Sequence, residues 1–174
     1  MFQLFRSFGV TMAQTLFWLA LFGASPAAAL EPARGTVVLT IAGAITATNN
    51  GDVAELDFEL LESIGTVTFE TTTIWTEGVQ TFTGVELYDL LDELGAQGLV
   101  LRASAVNDYS MEIPVSDAVR GGPIIAFLRN GERMSLRNKG PLWIVYPYDT
   151  NSGYQSELTY SRSVWQLNRI EVLR

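Results

Sequence analysis

The polar and aromatic side chains that could do chemistry in this chain cluster at predicted turns and strand ends. Asn107, Asp108 and Tyr109 form one such turn, and Tyr148 with Asp149 follows directly after an apolar run. Because loops and strand ends are where a fold usually presents its functional groups, we expect these five residues to line a ligand-binding site.

A second group of candidates supplies positive charge and aromatic surface. Arg137 and Lys139 lie in a polar segment between two apolar runs, and we predict that they hold an anionic group of a small ligand. Trp75 would add contact area, and Arg102 and Arg162 are further cations that could meet an anion. For each candidate, a structural role or a solvated surface charge is the alternative.

Catalysis would have a restricted set of side chains, because the chain contains no cysteine and no histidine. Thiolate nucleophiles, thiolate metal ligands, zinc sites of the usual kind and serine–histidine catalysis are therefore excluded. Acid–base hydrolysis by paired carboxylates such as Asp108 and Asp149 has no motif behind it. The net charge of −8 argues against a nucleic-acid partner, which would need a basic surface.

The first 29 residues have the organisation of an export signal. Arg6 precedes the apolar block 16–22, and the small residues up to Ala29 fit cleavage by signal peptidase. We predict a signal peptide over 1–29 and one domain over 30–174, with a periplasmic or secreted location and no membrane insertion after cleavage. An uncleaved N-terminal anchor is the alternative.

Hydrophobic periodicity predicts one α+β domain, mixed and rich in strands, that positions these candidates. Its centre is the buried run Ile124 to Leu128, which Asn130-Gly131 turns into a hairpin. The predicted strands are 37–42, 66–70, 79–82, 99–106, 109–113, 124–128, 142–145 and 164–172, with 74–75 also extended.

Two helices are predicted from their termini. Asp57 is the expected N-cap of the first, which ends at Gly65. The second should span Gly84 to Leu94, because Thr83 and Glu86 match a Thr-x-x-Glu capping box ahead of a stripe of leucines.

Five segments follow one another in the sequence: FTGVELYDLL (82–91), VNDYSMEIP (106–114), IIAFLRNGERM (124–134), KGPLWIVYP (139–147) and WQLNRIEV (165–172). In their order and wording they resemble the molybdopterin-binding domain of the sulfite oxidase family in its short exported form. The resemblance implies the mixed α+β fold of that family, with a cofactor cleft formed by strand ends and loops.

The resemblance also implies a difference from the catalytic members of the family. In those members a cysteine before the Gly-Val-x-Leu helix ligates molybdenum, whereas the corresponding region here is Thr71 to Trp75. A threonine hydroxyl cannot replace a soft thiolate, and Trp143 and Val164 stand where larger members are expected to have basic side chains.

These observations predict an exported, non-catalytic module of this family that binds a small molecule, with anionic molecules among the candidates, or an exported or membrane protein. No cofactor is expected, although the resemblance leaves molybdopterin open. The alternative is a molybdopterin-dependent oxidoreductase of the sulfite oxidase family.

Overall fold

Two β-sheets and three short helices form the part of the chain that the computed structural model describes, residues 30–174. The predicted signal peptide over residues 1–29 lies outside the described residues. The α+β class and the strand-rich single domain are confirmed by this architecture.

The first sheet has five strands, in the order β2-β1-β10-β5-β6. The last strand of the chain runs parallel to the first and lies between β1 and β5, so the two ends of the domain share one core. The strands are β1 (Leu39–Gly43), β2 (Ala54–Leu56), β5 (Val100–Ala105), β6 (Ser110–Pro114) and β10 (Leu167–Leu173).

The second sheet is organised around one strand that is buried on both faces, β7 (Ile124–Arg129). Its first four residues are fully covered, as the unbroken apolar run predicts. Asn130 and Gly131 turn the chain with φ angles of 53° and 82°, which an Asn-Gly pair tolerates. The other strands are β3 (Val67–Thr71), β4 (Gln80–Glu86), β8 (Glu132–Arg133) and β9 (Trp143–Val145).

The first helix, α1 (Phe58–Ile64), begins as its sequence predicts. The Asp57 carboxylate caps it by accepting a hydrogen bond from the Leu60 N–H at 2.9 Å. The same carboxylate also accepts the N–H groups of Arg34 and Gly35, at 2.8 and 2.6 Å. Asp57 therefore joins the N-terminal segment to the helix.

The capping box predicted for the second helix is wrong. Strand β4 continues through Glu86, and the helix, α2, spans Leu87–Glu93 without a side-chain cap. The Thr83 hydroxyl instead pairs with that of Thr68 at 2.8 Å, and the Glu86 carboxylate accepts the Gly121 N–H at 3.0 Å. Pairing of β4 with β7 overrides the local helix signal.

The leucine stripe of α2 is confirmed, with Leu87, Leu90, Leu91 and Leu94 all buried. Three other elements differ from the sequence-based expectation. Strand β2 and helix α3 (Glu157–Arg162) lie in segments for which no helix or strand was predicted, and residues 74–78 form turns and bends where an extended segment was predicted at 74–75.

Short 3₁₀ helices at Val115–Asp117, Leu136–Asn138 and Ser152–Tyr154 complete the fold. Within residues 30–174, none of the helices is long and apolar enough to cross a bilayer.

Candidate functional site

A cavity of about 340 Å³ opens where the β5–β6 turn, the loop after β3 and the segment after α3 meet. Its volume lies near the lower end of the range of about 300–1,000 Å³ that is usual for small-molecule sites. The lining residues are uncharged and mostly aromatic or small: Trp75, Ala105, Asn107, Tyr109, Tyr160, Ser161, Ser163, Val164 and Trp165.

Trp75 lies at the centre of an aromatic cluster that forms one wall of this cavity. Its ring meets those of Trp143, Tyr160 and Trp165 edge to face, with centroids 5.7, 5.8 and 5.4 Å away. The ring of Tyr148 is 6.4 Å away in a similar orientation. Edge-to-face pairs are the favoured arrangement of aromatic rings, so four neighbours fix the orientation of this indole.

The loop that carries Trp75 is held by hydrogen bonds to Asp149. The N–H and the hydroxyl of Thr72 donate to the two carboxylate oxygens at 2.6 and 2.7 Å. The Asp149 N–H donates to the hydroxyl oxygen of Thr71 at 3.2 Å, and the Thr73 hydroxyl oxygen accepts the Trp75 N–H at 3.1 Å. The hydrogen bonds from Thr72 hold the pKa of Asp149 below its usual value.

Tyr148 supports the cluster from inside the protein. It is buried, its ring lies 5.5 Å from that of Tyr160, and its hydroxyl shares a 2.6 Å hydrogen bond with the hydroxyl of Ser163. Burial raises the pKa of Tyr148 to about 12, so the phenol stays protonated at neutral pH.

The β5–β6 turn brings Asn107 and Tyr109 to the cavity. The side-chain oxygen of Asn107 accepts the Tyr109 N–H at 3.3 Å, and the Tyr109 hydroxyl donates to the Ser161 carbonyl at 3.2 Å. Asp108 forms the turn itself, with a φ of 64°, and is not among the lining residues.

The predicted cations are separated by the structure. The Lys139 ammonium lies 4.4 Å from the ring centre of Trp165, which lines the cavity, and 5.5 Å from that of Trp143. Arg137 is exposed on the preceding 3₁₀ helix and does not line the cavity. Burial, followed by repulsion from Arg129, lowers the pKa of Lys139.

The other two arginines are held by carboxylates. Arg102 on β5 pairs with Glu112 and Glu171, at 3.5 and 2.9 Å, on an exposed face of the first sheet. Arg162 pairs with Asp117 at 3.0 Å.

Of the nine predicted ligand-binding residues, the structure places Trp75, Asn107 and Tyr109 in the cavity wall. Lys139 and Tyr148 contact the wall, and Asp149 holds its loop. Arg102, Asp108 and Arg137 are outside it. The sequence reasoning missed the wall that α3 and the following residues supply, namely Tyr160, Ser161, Ser163, Val164 and Trp165.

A signal for this missed wall exists in the sequence. Ser156 precedes a short helix and accepts the Thr159 N–H at 3.2 Å, as an N-cap does. A helix beginning there places Tyr160 one turn in, and Trp165 follows its end.

The place where the resemblance expects a thiolate ligand of molybdenum carries three threonines, Thr71 to Thr73. At the place where the thiolate ligand is expected, the side-chain oxygens of Thr71, Thr72 and Thr73 are engaged in hydrogen bonds within the protein. The residues that line the cavity are uncharged, and the cation that contacts its wall is Lys139. Within residues 30–174, no group of three or more aspartates or glutamates is placed to hold a metal ion.

Comparisons with known proteins agree on the fold. A family model described as "Oxidoreductase molybdopterin binding domain" matches residues 49–172. The sulfane dehydrogenase SoxCD from Paracoccus pantotrophus has a similar solved structure, with a TM-score of 0.57 and 20% sequence identity over 78% of this chain. The chain spans 37% of the matched SoxCD chain. No curated protein matches the sequence.

Proposed function

The chain belongs to the oxidoreductase molybdopterin-binding domain family, and from that premise we propose that it is a non-catalytic module that binds a small molecule. The observation that carries this proposal is the contrast between two neighbouring places in the structure. Thr71 and Thr72 at the expected thiolate position are hydrogen-bonded to Asp149, whereas an aromatic cavity remains open beside Trp75.

The chemistry of threonine supports a role without the metal. A hydroxyl is far less acidic than a thiol and is a harder donor, so it does not replace the thiolate ligand that molybdenum takes in catalytic relatives. The Thr72 hydroxyl is also committed to a carboxylate at 2.7 Å. Metal ligation through this oxygen would break a charge-assisted hydrogen bond.

The cavity supports the binding role. Ring faces and edges supply contact area, and a few polar groups at the wall can orient a ligand. We further propose that this takes place in the periplasm or outside the cell. A second form of the same function is docking of an exported or membrane protein, for which the exposed apolar residues Val106, Leu136 and Leu158 offer contact surface.

The alternative is a molybdopterin-dependent oxidoreductase of the sulfite oxidase family. Family membership favours it, and SoxCD is described as a sulfane dehydrogenase. At 20% identity, however, the likeness to SoxCD concerns the fold alone.

Metal and pterin analysis separates the two functions. We expect far less than one molybdenum per chain when the protein is purified from a host that makes the cofactor. A molybdoenzyme purified from the same cells serves as the control for cofactor supply. Stoichiometric molybdenum that disappears in Thr72→Ala would refute the module and favour the oxidoreductase.

A further inference from the structure

The charge beside the cavity has the opposite sign to that of the protein as a whole. The chain carries a net charge of −8, yet the charged group that contacts the wall at Trp165 is the Lys139 ammonium. Among residues 30–174, the ion pairs do not include Lys139, and its charged neighbour is Arg129, another cation. Within residues 30–174, the Lys139 ammonium at this wall therefore has no carboxylate within ion-pair distance.

One side chain at the same place offers a hydrogen-bond donor to an acceptor on the ligand. The side-chain oxygen of Asn107 already accepts the Tyr109 N–H, which leaves the amide nitrogen to donate. The hydroxyls of Tyr109, Ser161 and Ser163 each donate to a backbone carbonyl. Asn107 is thus a ready donor in the wall.

Asn107 and Lys139 lie on the two sides of the segment that carries Trp165. The Gln166 carbonyl accepts the Val106 N–H, and the Gln166 N–H donates to the Lys139 carbonyl, both at 2.9 Å. These two backbone hydrogen bonds hold Val106 and Lys139 beside Gln166, while the Lys139 ammonium contacts Trp165 and Asn107 lines the same cavity as Trp165.

We propose that the cavity binds a flat aromatic ring that carries a carboxylate, with the ring against Trp75 and Trp165 and the carboxylate towards Lys139 and Asn107. This inference rests on the proposed binding function and specifies its ligand class. The wall supplies rings for stacking, and the cation and the amide supply the two donors that a carboxylate accepts.

A cationic ligand fits the same wall poorly. Aromatic walls can attract quaternary ammonium groups, but here Lys139 already lies over the face of Trp165 at 4.4 Å. A second positive charge nearby would be repelled, and the wall holds no carboxylate to offset that repulsion.

Three probes that share one ring and differ in charge test the proposal by isothermal titration calorimetry on the purified protein. They are indole-3-acetate, the neutral indole-3-acetamide, and the cationic tryptamine. We expect indole-3-acetate to bind about five- to tenfold more tightly than the amide, and tryptamine to bind most weakly. The advantage of the acetate should shrink as salt is raised, because the ammonium is partly exposed.

Two variants assign the charge preference to its source. Lys139→Gln should remove the preference for the acetate over the amide. Arg34→Gln, which removes an exposed cation beside the N-terminal segment, is the matched control and should leave the preference intact. Trp165→Ala should weaken all three probes, and Trp165→Phe should recover part of that loss, with melting curves showing that each variant is folded.

The proposal is overturned if tryptamine binds as tightly as the acetate, if the preference survives Lys139→Gln, or if no probe binds. If the protein contains no molybdenum and binds none of the three probes, this ligand class is refuted. That result does not contradict the proposed binding function. Stoichiometric molybdenum refutes the module itself.

Discussion

Replacing Thr72 with alanine should destabilise the domain by about 1 kcal/mol, because it removes one of the two hydrogen bonds that Thr72 makes to Asp149. The hydroxyl and the N–H donate to the carboxylate at 2.7 and 2.6 Å. A hydrogen bond to a charged acceptor contributes about 1.5–3 kcal/mol net, and the exposure of Asp149 reduces this towards about 1 kcal/mol. The melting temperature should fall by about 2–4 °C.

A double-mutant cycle shows whether this loss belongs to the Thr72–Asp149 pair. Asp149→Asn weakens both hydrogen bonds while keeping the shape of the side chain, so its cost should exceed that of Thr72→Ala. In the double variant the two costs should fall short of additivity by about 0.5–1 kcal/mol. Thr68→Ala removes another exposed threonine hydroxyl, which bonds to Thr83, and should combine additively with Asp149→Asn.

Urea denaturation of this set at two pH values completes the test. The hydrogen bonds from Thr72 lower the pKa of Asp149, so its contribution to folding is complete above the pKa of the unfolded carboxyl, about 4. That contribution is lost as the pH falls through the lower pKa of the folded state. The coupling should therefore be larger at pH 7 than at pH 3. Additive costs at pH 7 would refute this account of the loop.

Four further substitutions are measured by urea denaturation at pH 7. Asp57→Ala should cost about 1–3 kcal/mol, because three backbone N–H groups lose their acceptor, and a cost below that of Glu86→Ala would contradict it. Leu90→Ala should cost about 2–5 kcal/mol as a buried leucine, whereas Glu86→Ala should cost about 1 kcal/mol or less; the reverse order would contradict the packing of α2. Gly84→Ala should cost about 1–3 kcal/mol, because its Cβ would lie 2.2 Å from the Ile125 carbonyl oxygen, and unchanged stability would contradict the close approach of β4 and β7.

The parts of the fold that the sequence predicted correctly depend on neighbouring residues. The cap of α1 at Asp57 and the turn at Asn130-Gly131 each need a few adjacent side chains and φ values, and both have the predicted form. The β5–β6 hairpin is equally local, since its strands are joined at Asp108. Such local patterns predict the structure correctly because no contact with a distant segment favours a different conformation there.

The wrong predictions of secondary structure occur where contacts between residues far apart in the sequence determine the structure. Thr83 and Glu86 have the spacing of a capping box, but strand pairing with β7 keeps this segment extended. Strand β2 has three residues and gains its order from pairing with β1, so its own pattern is too short to be read. Helix α3 has six residues, fewer than an isolated helix needs for stability.

The sequence predicted only part of the candidate site, because local turns can be recognised in a sequence and contacts between distant segments cannot. Turns and strand ends pointed to Trp75, Asn107 and Tyr109, because each lies where a local break in periodicity can be recognised. Charge alone pointed equally to Arg102 and Lys139. The sequence could not show that strand pairing places Arg102 between Glu112 and Glu171, since those partners come from β6 and β10.

The arrangement at Gln166 explains why the rest of the candidate site could be recognised only in the structure. This residue adopts a φ of 52°, and its backbone bonds to Val106 on one side and Lys139 on the other. Its side-chain amide donates to the Leu136 carbonyl at 2.8 Å, which holds the segment that leads to Lys139. Three segments far apart in the sequence are thereby fixed around Trp165. Because the backbone segments that carry Asn107, Lys139 and Trp165 meet at Gln166, the charge preference that we propose for the cavity depends on the tertiary structure rather than on any motif.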